Sequence, residues 1–188
     1  MLIITKMQSK LNDLLELFFN SSKQWHFEEL SRTVPIGKPQ LARWLRVLEK
    51  EKIISRVKPR GKMPYYRQNT EHPAYQQRKR LYAWQKLAES GLVTHLAALP
   101  QAKVVVVFGS FARADWHQDS DIDIFVYGSD EEFEQGKYEL KLKREIQLHT
   151  VRQREGLQKV EGLLPYVFSG NFIKGSVQDL GVEIHAKS

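Results

Sequence analysis

The 188-residue chain contains no cysteine, which excludes a disulfide framework and any thiolate metal site. No apolar run reaches the length of a membrane span, and the opening MLIITKMQSK lacks the charged start and long apolar region of a signal peptide. These absences predict a soluble, cytoplasmic protein without a membrane partner.

Charge is distributed unevenly along the chain, whose net charge is +7. Residues 1–70 hold 14 Lys and Arg against 6 Asp and Glu, residues 71–100 hold 4 against 2, and residues 101–188 hold 11 against 14. A basic front and an acidic back indicate two modules, of which the front one suits a polyanion. A solvated, lysine-rich surface is the alternative interpretation.

Apolar periodicity predicts three helices in the basic module. The first has the i, i+3, i+4 spacing of a helix with one buried face, in Leu11, Leu14, Leu15, Phe18 and Phe19. A short second helix fits HFEELSRTV. The turn VPIGKP then leads into a third helix beginning at Pro39, with a basic outer face and an apolar stripe of Leu41, Trp44, Leu45 and Leu48.

A basic hairpin is predicted after the third helix, because KIISRVKPRGKMPYYRQN holds two β-prone runs around KPRGKMP. Three helices and this hairpin, over about residues 8–69, resemble a winged helix-turn-helix domain. Its third helix would enter the DNA major groove while the hairpin meets phosphates. The candidate DNA-binding residues are Lys38, Gln40, Arg43, Lys58, Arg60 and Lys62. A protein–protein module of the same fold is the alternative.

The segment after the hairpin predicts one long helix and a shorter one up to Leu99. We therefore predict an α+β protein with a winged helix-turn-helix domain at residues 1–70, a helical connector at 71–100 and a third part at 101–188. In that last part, SDEEFEQ is predicted to begin a helix and VEIHA to form a final strand. No function is assigned to residues 165–188.

The third part contains the motif VFGSFARADWHQDSDIDIF, preceded by valines typical of a buried strand. A Gly-Ser turn that opens a helix presents N–H groups to an anion, phosphate above all. Asp121 and Asp123 would then share one face of the next strand. Two adjacent carboxylates repel unless a cation lies between them. Magnesium held by carboxylates and phosphate oxygens is therefore the predicted occupant.

This arrangement resembles the nucleotidyltransferase domain of the DNA polymerase β superfamily. It consists of a strand, Gly-Ser, ten intervening residues, Asp-x-Asp and a second strand. GSFARADWHQDSDIDIFV is especially similar to the minimal nucleotidyltransferases, and the resemblance covers about residues 95–165. It implies a small mixed β-sheet with helices and a nucleoside triphosphate, with ATP expected. The nucleotide would lie at Gly109, Ser110, Arg113 and Ser120, with two Mg²⁺ ions at the catalytic residues Asp121 and Asp123.

The family usually supplies a third carboxylate from the next strand, which here fits REIQLHTV. Glu145, Gln147 and His149 would share a face, and the preferred register puts Gln147 at the carboxylate position. A neutral amide cannot act as a base. Glu145, one pleat away, is the candidate third catalytic residue, and a surface residue at a strand end is the alternative. His117, His149 and His185 lack metal-ligand spacing, so no zinc site is predicted.

These observations predict an enzyme that transfers a nucleoside monophosphate to a protein or small molecule and carries a DNA-binding domain. Two alternatives stay open. One is a transcriptional regulator whose nucleotidyltransferase domain senses nucleotide, and the other is an antitoxin-like protein with a toxin partner. The intact Asp121 and Asp123 pair favours chemistry, whereas Gln147 favours sensing. Since winged helices often dimerise, a homodimer is also compatible with the sequence.

Overall fold

The computed structural model describes the backbone of residues 2–181 and the side chains of residues 10–181. Two compact units are present. One runs through Tyr82 and includes the short segment Trp116–Gln118, and the other comprises Ala83–Asp115 and the chain from Asp119 onward. The predicted strand at VEIHA and His185 lie outside the described residues.

The first unit contains the three helices that the apolar periodicity predicts. They are α1 (Leu2–Asn20), α2 (Phe27–Thr33) and α3 (Lys38–Lys50). The second residue of α3 is Pro39, which suits the first turn of a helix because a proline has no N–H to leave unpaired. The predicted stripe of α3 is buried, at Leu41, Trp44, Leu45 and Leu48.

A small antiparallel sheet completes this unit. Its strands are β1 (Trp25–His26), β2 (Ile54–Val57) and β3 (Tyr65–Gln68), in the order β1-β3-β2. The sequence predicts β2 and β3 as a hairpin, but β1 was not predicted because two residues show no periodicity. His26 Nδ1 lies 3.0 Å from the carbonyl oxygen of Pro64, at the end of the hairpin turn.

Trp116 packs within the first unit, although in sequence it lies between Gly-Ser and Asp-x-Asp. It is only 2% exposed. Its ring stacks on Tyr82 at 6.1 Å and meets the edge of Phe19 at 6.2 Å. The buried Lys79 ammonium donates a hydrogen bond to the Trp116 carbonyl and lies 4.6 Å from the ring centroid. Aromatic packing and a cation–π contact therefore anchor this residue.

The two predicted connector helices are α4 (Pro73–Ser90) and α5 (Leu92–Ala98). Gly91 separates them in a left-handed conformation with a φ of 84°, which ends one helix and lets the next begin. The division between the two units falls within α4.

The second unit is built on a four-stranded mixed sheet. Its strands are β4 (Ala102–Phe108), β5 (Ile122–Gly128), β6 (Ile146–Val151) and β7 (Asn171–Lys174), in the order β6-β5-β4-β7. β4 pairs antiparallel with β5 and β7, whereas β5 pairs parallel with β6. The α+β class and small mixed sheet are thus as predicted, while β7 was not anticipated.

Short helices accompany this sheet: α6 (Gly109–Arg113), α7 (Gln135–Leu142), α8 (Arg154–Lys159) and α9 (Leu164–Phe168), with a 3-10 turn at Val177–Leu180. The run SDEEFEQ was predicted to begin a helix, but α7 begins only at the last residue of that run, Gln135. One face of the sheet forms a core with the helices that follow it, through Val104, Val106, Phe108, Phe125, Tyr127, Val151, Leu157, Leu164, Val167 and Leu180.

Candidate active site

Gly109 brings the end of β4 into close contact with Asp123. Its φ is +70°, in the left-handed region that side chains rarely adopt. A Cβ atom built on Gly109 would lie 1.9 Å from Asp123 Oδ2 and 2.7 Å from Asp123 Cγ. The space that a side chain would fill is therefore already occupied by a carboxylate. Glycine is required here by both backbone conformation and space.

Asp121 directly precedes β5 and Asp123 is the second residue of this strand, so the alternation of the extended chain places both on the same face. Asp123 pairs with Phe108, the last residue of β4. Burial raises the pKa of the half-buried Asp123 carboxyl, and the negative charge of Asp121 raises it further, while His149 and Arg113 act in the opposite direction. The carboxylate thus lacks full compensation for its charge, which a bound cation would supply.

The neighbouring strand places an amide beside this pair. β5 and β6 run parallel with Asp123 opposite Gln147 and Ile122 opposite Ile146. Gln147 therefore lies on the same face as Asp123. Glu145 directly precedes β6; its side chain is exposed, and its carbonyl accepts a hydrogen bond from the Ile122 N–H at 2.9 Å.

His149 is a further neighbour of the site, although it was not predicted as a site residue. It lies two positions beyond Gln147 on the same face of β6, and its ring centroid is 5.5 Å from that of Phe108. Its charge also acts on Asp123. The alternation of β6 predicts its place on this face, but no role at the site was predicted for it.

Arg113 and Ser120, two of the predicted nucleotide-binding residues, already have hydrogen-bond partners within the protein. The Arg113 Nε–H donates to Asp115 Oδ2 at 2.9 Å, in an exposed ion pair. Such a pair contributes little stability and can exchange its partner. The Ser120 carbonyl accepts a hydrogen bond from Arg144 Nη1 at 2.8 Å. Ser110 is half-buried at the start of α6, next to Gly109.

The donor set fits a hard cation such as Mg²⁺. Asp121 and Asp123 supply carboxylate oxygens from one face, and the absence of a side chain at Gly109 leaves the Asp123 carboxylate in its place. Within the described part of the chain, no group of three or more His, Cys, Asp or Glu residues could hold a metal ion. In proteins, Mg²⁺ is usually bound by one or two carboxylates together with phosphate oxygens of a substrate.

The candidate DNA-contacting residues lie on the first unit. Arg43 on α3 and Lys58, Arg60 and Lys62 around the hairpin turn have exposed side chains. Lys38 is exposed too, but its ammonium forms an ion pair with Glu28 at 2.7 Å.

Gln40 is placed less favourably for contact with a base. Its amide nitrogen is buried and finds no hydrogen-bond partner among the described residues. The side chain would have to rotate outward before it could read a base. The periodicity of α3 could not reveal this, because Gln40 lies at the border between its buried and exposed faces.

Comparison with known proteins agrees with this geometry. Residues 72–164 match the family model of the nucleotidyltransferase domain, a range that includes β4, β5, β6 and both aspartates. None of the curated proteins compared with the chain matches it. No helix in the described part of the chain is long and apolar enough to cross a membrane.

Two solved structures are similar to part of the chain. One is a toxin–antitoxin with AMP-PNP, at 20% identity over 52% of this chain and 77% of that one, with a TM-score of 0.32. The other is a mutant of the toxin–antitoxin MntA-HpeT, at 18% identity over 54% and 77%, with a TM-score of 0.31. Residues 72–164, which contain the Gly-Ser and Asp-x-Asp elements, thus match the model of a nucleotidyltransferase domain.

Proposed function

We propose that this domain transfers a nucleoside monophosphate from a nucleoside triphosphate, with ATP the expected donor, to an acceptor hydroxyl. The observation that carries the proposal is the contact between the Gly109 turn and the Asp123 carboxylate. It brings a candidate phosphate-binding turn and a candidate cation-binding carboxylate within one site. A nucleotide–cation complex has both charges that such a site needs.

Each residue of the site then has a role. The turn at Gly109 and Ser110 receives the phosphates, and Arg113 can leave Asp115 to offset phosphate charge. Asp121 and Asp123 would hold Mg²⁺. When bound, the metal neutralises phosphate charge and stabilises the attacking and leaving oxygens. The two-ion arrangement of the resembled family would need a further ligand, for which Gln147 offers a neutral oxygen and Glu145 a charged one.

The reaction forms a bond between the acceptor oxygen and the α-phosphorus. It breaks the bond from that phosphorus to the bridging oxygen, and pyrophosphate leaves. The acceptor proton must go to a base, and Glu145 is our candidate. Its side chain is exposed, and β6 pairing continues toward it through the Ile122 hydrogen bond, so its carboxylate would lie beside Asp121. Gln147 lies opposite Asp123 but cannot accept the proton, because an amide is not a base.

A nucleotide sensor is the second candidate function, and Gln147 is the observation that favours it. With an amide in place of a carboxylate, the site would retain its two aspartates for a nucleotide–cation complex but lose negative charge and a base. An antitoxin-like protein would use the same site with a partner toxin as the acceptor or binding partner.

One experiment separates transfer from sensing. The protein is incubated with α-labelled ATP, Mg²⁺ and cell lysate, and acid-stable label is measured. For the enzyme, wild type should label an acceptor, and Glu145→Gln should abolish transfer while nucleotide binding persists. If the Glu145→Gln variant transferred label at the wild-type rate, Glu145 would have no catalytic role. For a sensor, wild type should transfer nothing, and Gln147→Asp should restore some transfer.

The first unit is proposed to bind DNA as a winged helix-turn-helix domain. Its order α1-β1-α2-α3-β2-β3 and the exposed cations of α3 and the hairpin turn support this. Arg43→Ala should weaken binding to a specific site by about 1–3 kcal/mol, while Lys62→Ala should weaken all sequences alike and flatten the salt dependence. Gel-shift titration at several salt concentrations measures both. Unchanged affinity in both variants would exclude this mode of DNA binding.

A further inference from the structure

A single arginine contacts the residues that flank both halves of the candidate site. Arg144 Nη1 donates a hydrogen bond to the carbonyl of Ser120, at 2.8 Å. The guanidinium carbon also lies 5.1 Å from the ring centroid of Phe111. Ser120 directly precedes Asp121, and Phe111 directly follows Ser110. Arg144 thus connects the aspartate strand with the Gly-Ser turn.

The backbone that carries Arg144 is held firmly. α7 ends at Leu142, and the next residue, Lys143, has a left-handed φ of 54° that turns the chain toward β6. The Arg144 N–H donates a hydrogen bond to the Glu139 carbonyl at 3.3 Å. The Glu139 carboxylate accepts a hydrogen bond from the Ile146 N–H at 3.0 Å. Hydrogen bonds to Glu139 from Arg144 and from Ile146 therefore hold the backbone on which Arg144 lies.

The contacts of the guanidinium with Phe111 and Ser120 each have a specific chemistry. The Phe111 side chain is buried, so its ring gives the planar cation a fixed surface. The carbonyl of Ser120 receives a charge-assisted hydrogen bond, which is shorter and stronger than a neutral one. A lysine could replace the hydrogen bond but would not present a planar guanidinium to the ring.

We propose that Arg144 is a positioning residue that couples the Gly109–Ser110 turn to the Asp121–Asp123 pair. The inference rests on the proposed function only in assuming that one nucleotide–cation complex is bound by both halves. If the halves are held at a fixed separation, the complex meets both together without reordering either. Removing Arg144 should therefore weaken binding of the complex, while leaving each half able to bind its own part.

The test measures dissociation constants for Mn²⁺ alone and for Mn²⁺ with α,β-methylene ATP, by water-proton relaxation. Arg144→Ala should weaken binding of the Mn²⁺–nucleotide complex about tenfold, and Arg144→Lys should restore part of the loss. Mn²⁺ alone should bind equally to all variants. Loss of stability lowers the amount of folded protein but not the affinity of the folded molecules, so a purely structural role would leave these constants unchanged.

Arg152→Ala is the matched control, because Arg152 is an exposed arginine just beyond β6 that pairs with Asp130 and Glu131. Its constants should equal those of wild type. Wild-type affinity in both Arg144 variants would overturn the proposal, as would a loss shared by Mn²⁺ alone. If Arg144→Ala does not fold, Arg144→Lys decides. Binding without transfer in wild type would contradict only the proposed enzyme activity, whereas absence of Mn²⁺–nucleotide binding in wild type would overturn both.

Discussion

Replacing Gly109 with alanine is expected to lower the transfer rate strongly. The free energy of unfolding should fall by little more than the usual penalty for a side chain in a left-handed conformation. Alanine in a left-handed conformation costs about 1–2 kcal/mol. The new Cβ would lie 1.9 Å from Asp123 Oδ2, whereas real Cβ contacts are at least 3.0 Å, so the carboxylate must move by about 1.1 Å. A displacement of about 1 Å in a reacting site can cost about 100-fold in rate.

Gly91→Ala provides a matched control for this variant. Gly91 has a φ of +84° and nothing within 4 Å of the position of a Cβ atom. The same backbone cost of about 1–2 kcal/mol therefore applies without any collision at the site. Both variants should lose similar thermal stability by circular dichroism, but only Gly109→Ala should lose about 100-fold in transfer rate. Near-normal transfer by Gly109→Ala, or an equal loss in Gly91→Ala, would refute the steric argument.

Substitutions at two further residues, one in each unit, test the stability of the two units. Burial and the charge of Asp121 raise the pKa of Asp123 in the folded protein above its ordinary 3.8. The folded state therefore resists ionisation of this carboxyl, and the free energy of unfolding falls as the pH rises from 3.8 to the raised pKa. Without divalent cation, Asp123→Asn should therefore melt above wild type at neutral pH and equally below pH 3.8; a lower neutral melting temperature would contradict this. Trp116→Ala should destabilise the first unit by about 3–5 kcal/mol in urea unfolding, and Trp116→Phe by less; an effect below about 0.5 kcal/mol would disagree with its packing.

The elements with strong local patterns could be predicted from the sequence. The stripe of α3 is continuous over about two turns, and the valines of β4 and the alternation of β5 leave few other interpretations. These features depend on periodicity and composition within one short segment.

Other features depend on partners far along the chain. β7 has only four residues, NFIK, and becomes a strand through its pairing with β4, which no local pattern announces. The acidic run before α7 has carboxylates suited to a helix start, yet the helix begins at Gln135, whose side chain donates to Glu139 and to the Ile146 carbonyl. Arg144 lies 24 residues from its Ser120 acceptor, so no local sequence pattern predicts this contact.

The central claim, that the site transfers a nucleoside monophosphate, is tested most directly by comparing α-labelled and γ-labelled ATP in parallel reactions with Mg²⁺ and cell lysate. Breaking the bond at the α-phosphorus sends the α label to the acceptor and the γ label to pyrophosphate. Wild type should therefore produce acid-stable label from α-labelled ATP alone, and Asp123→Asn should produce none. Equal labelling from γ-labelled ATP, or unchanged α labelling in Asp123→Asn, would contradict the account.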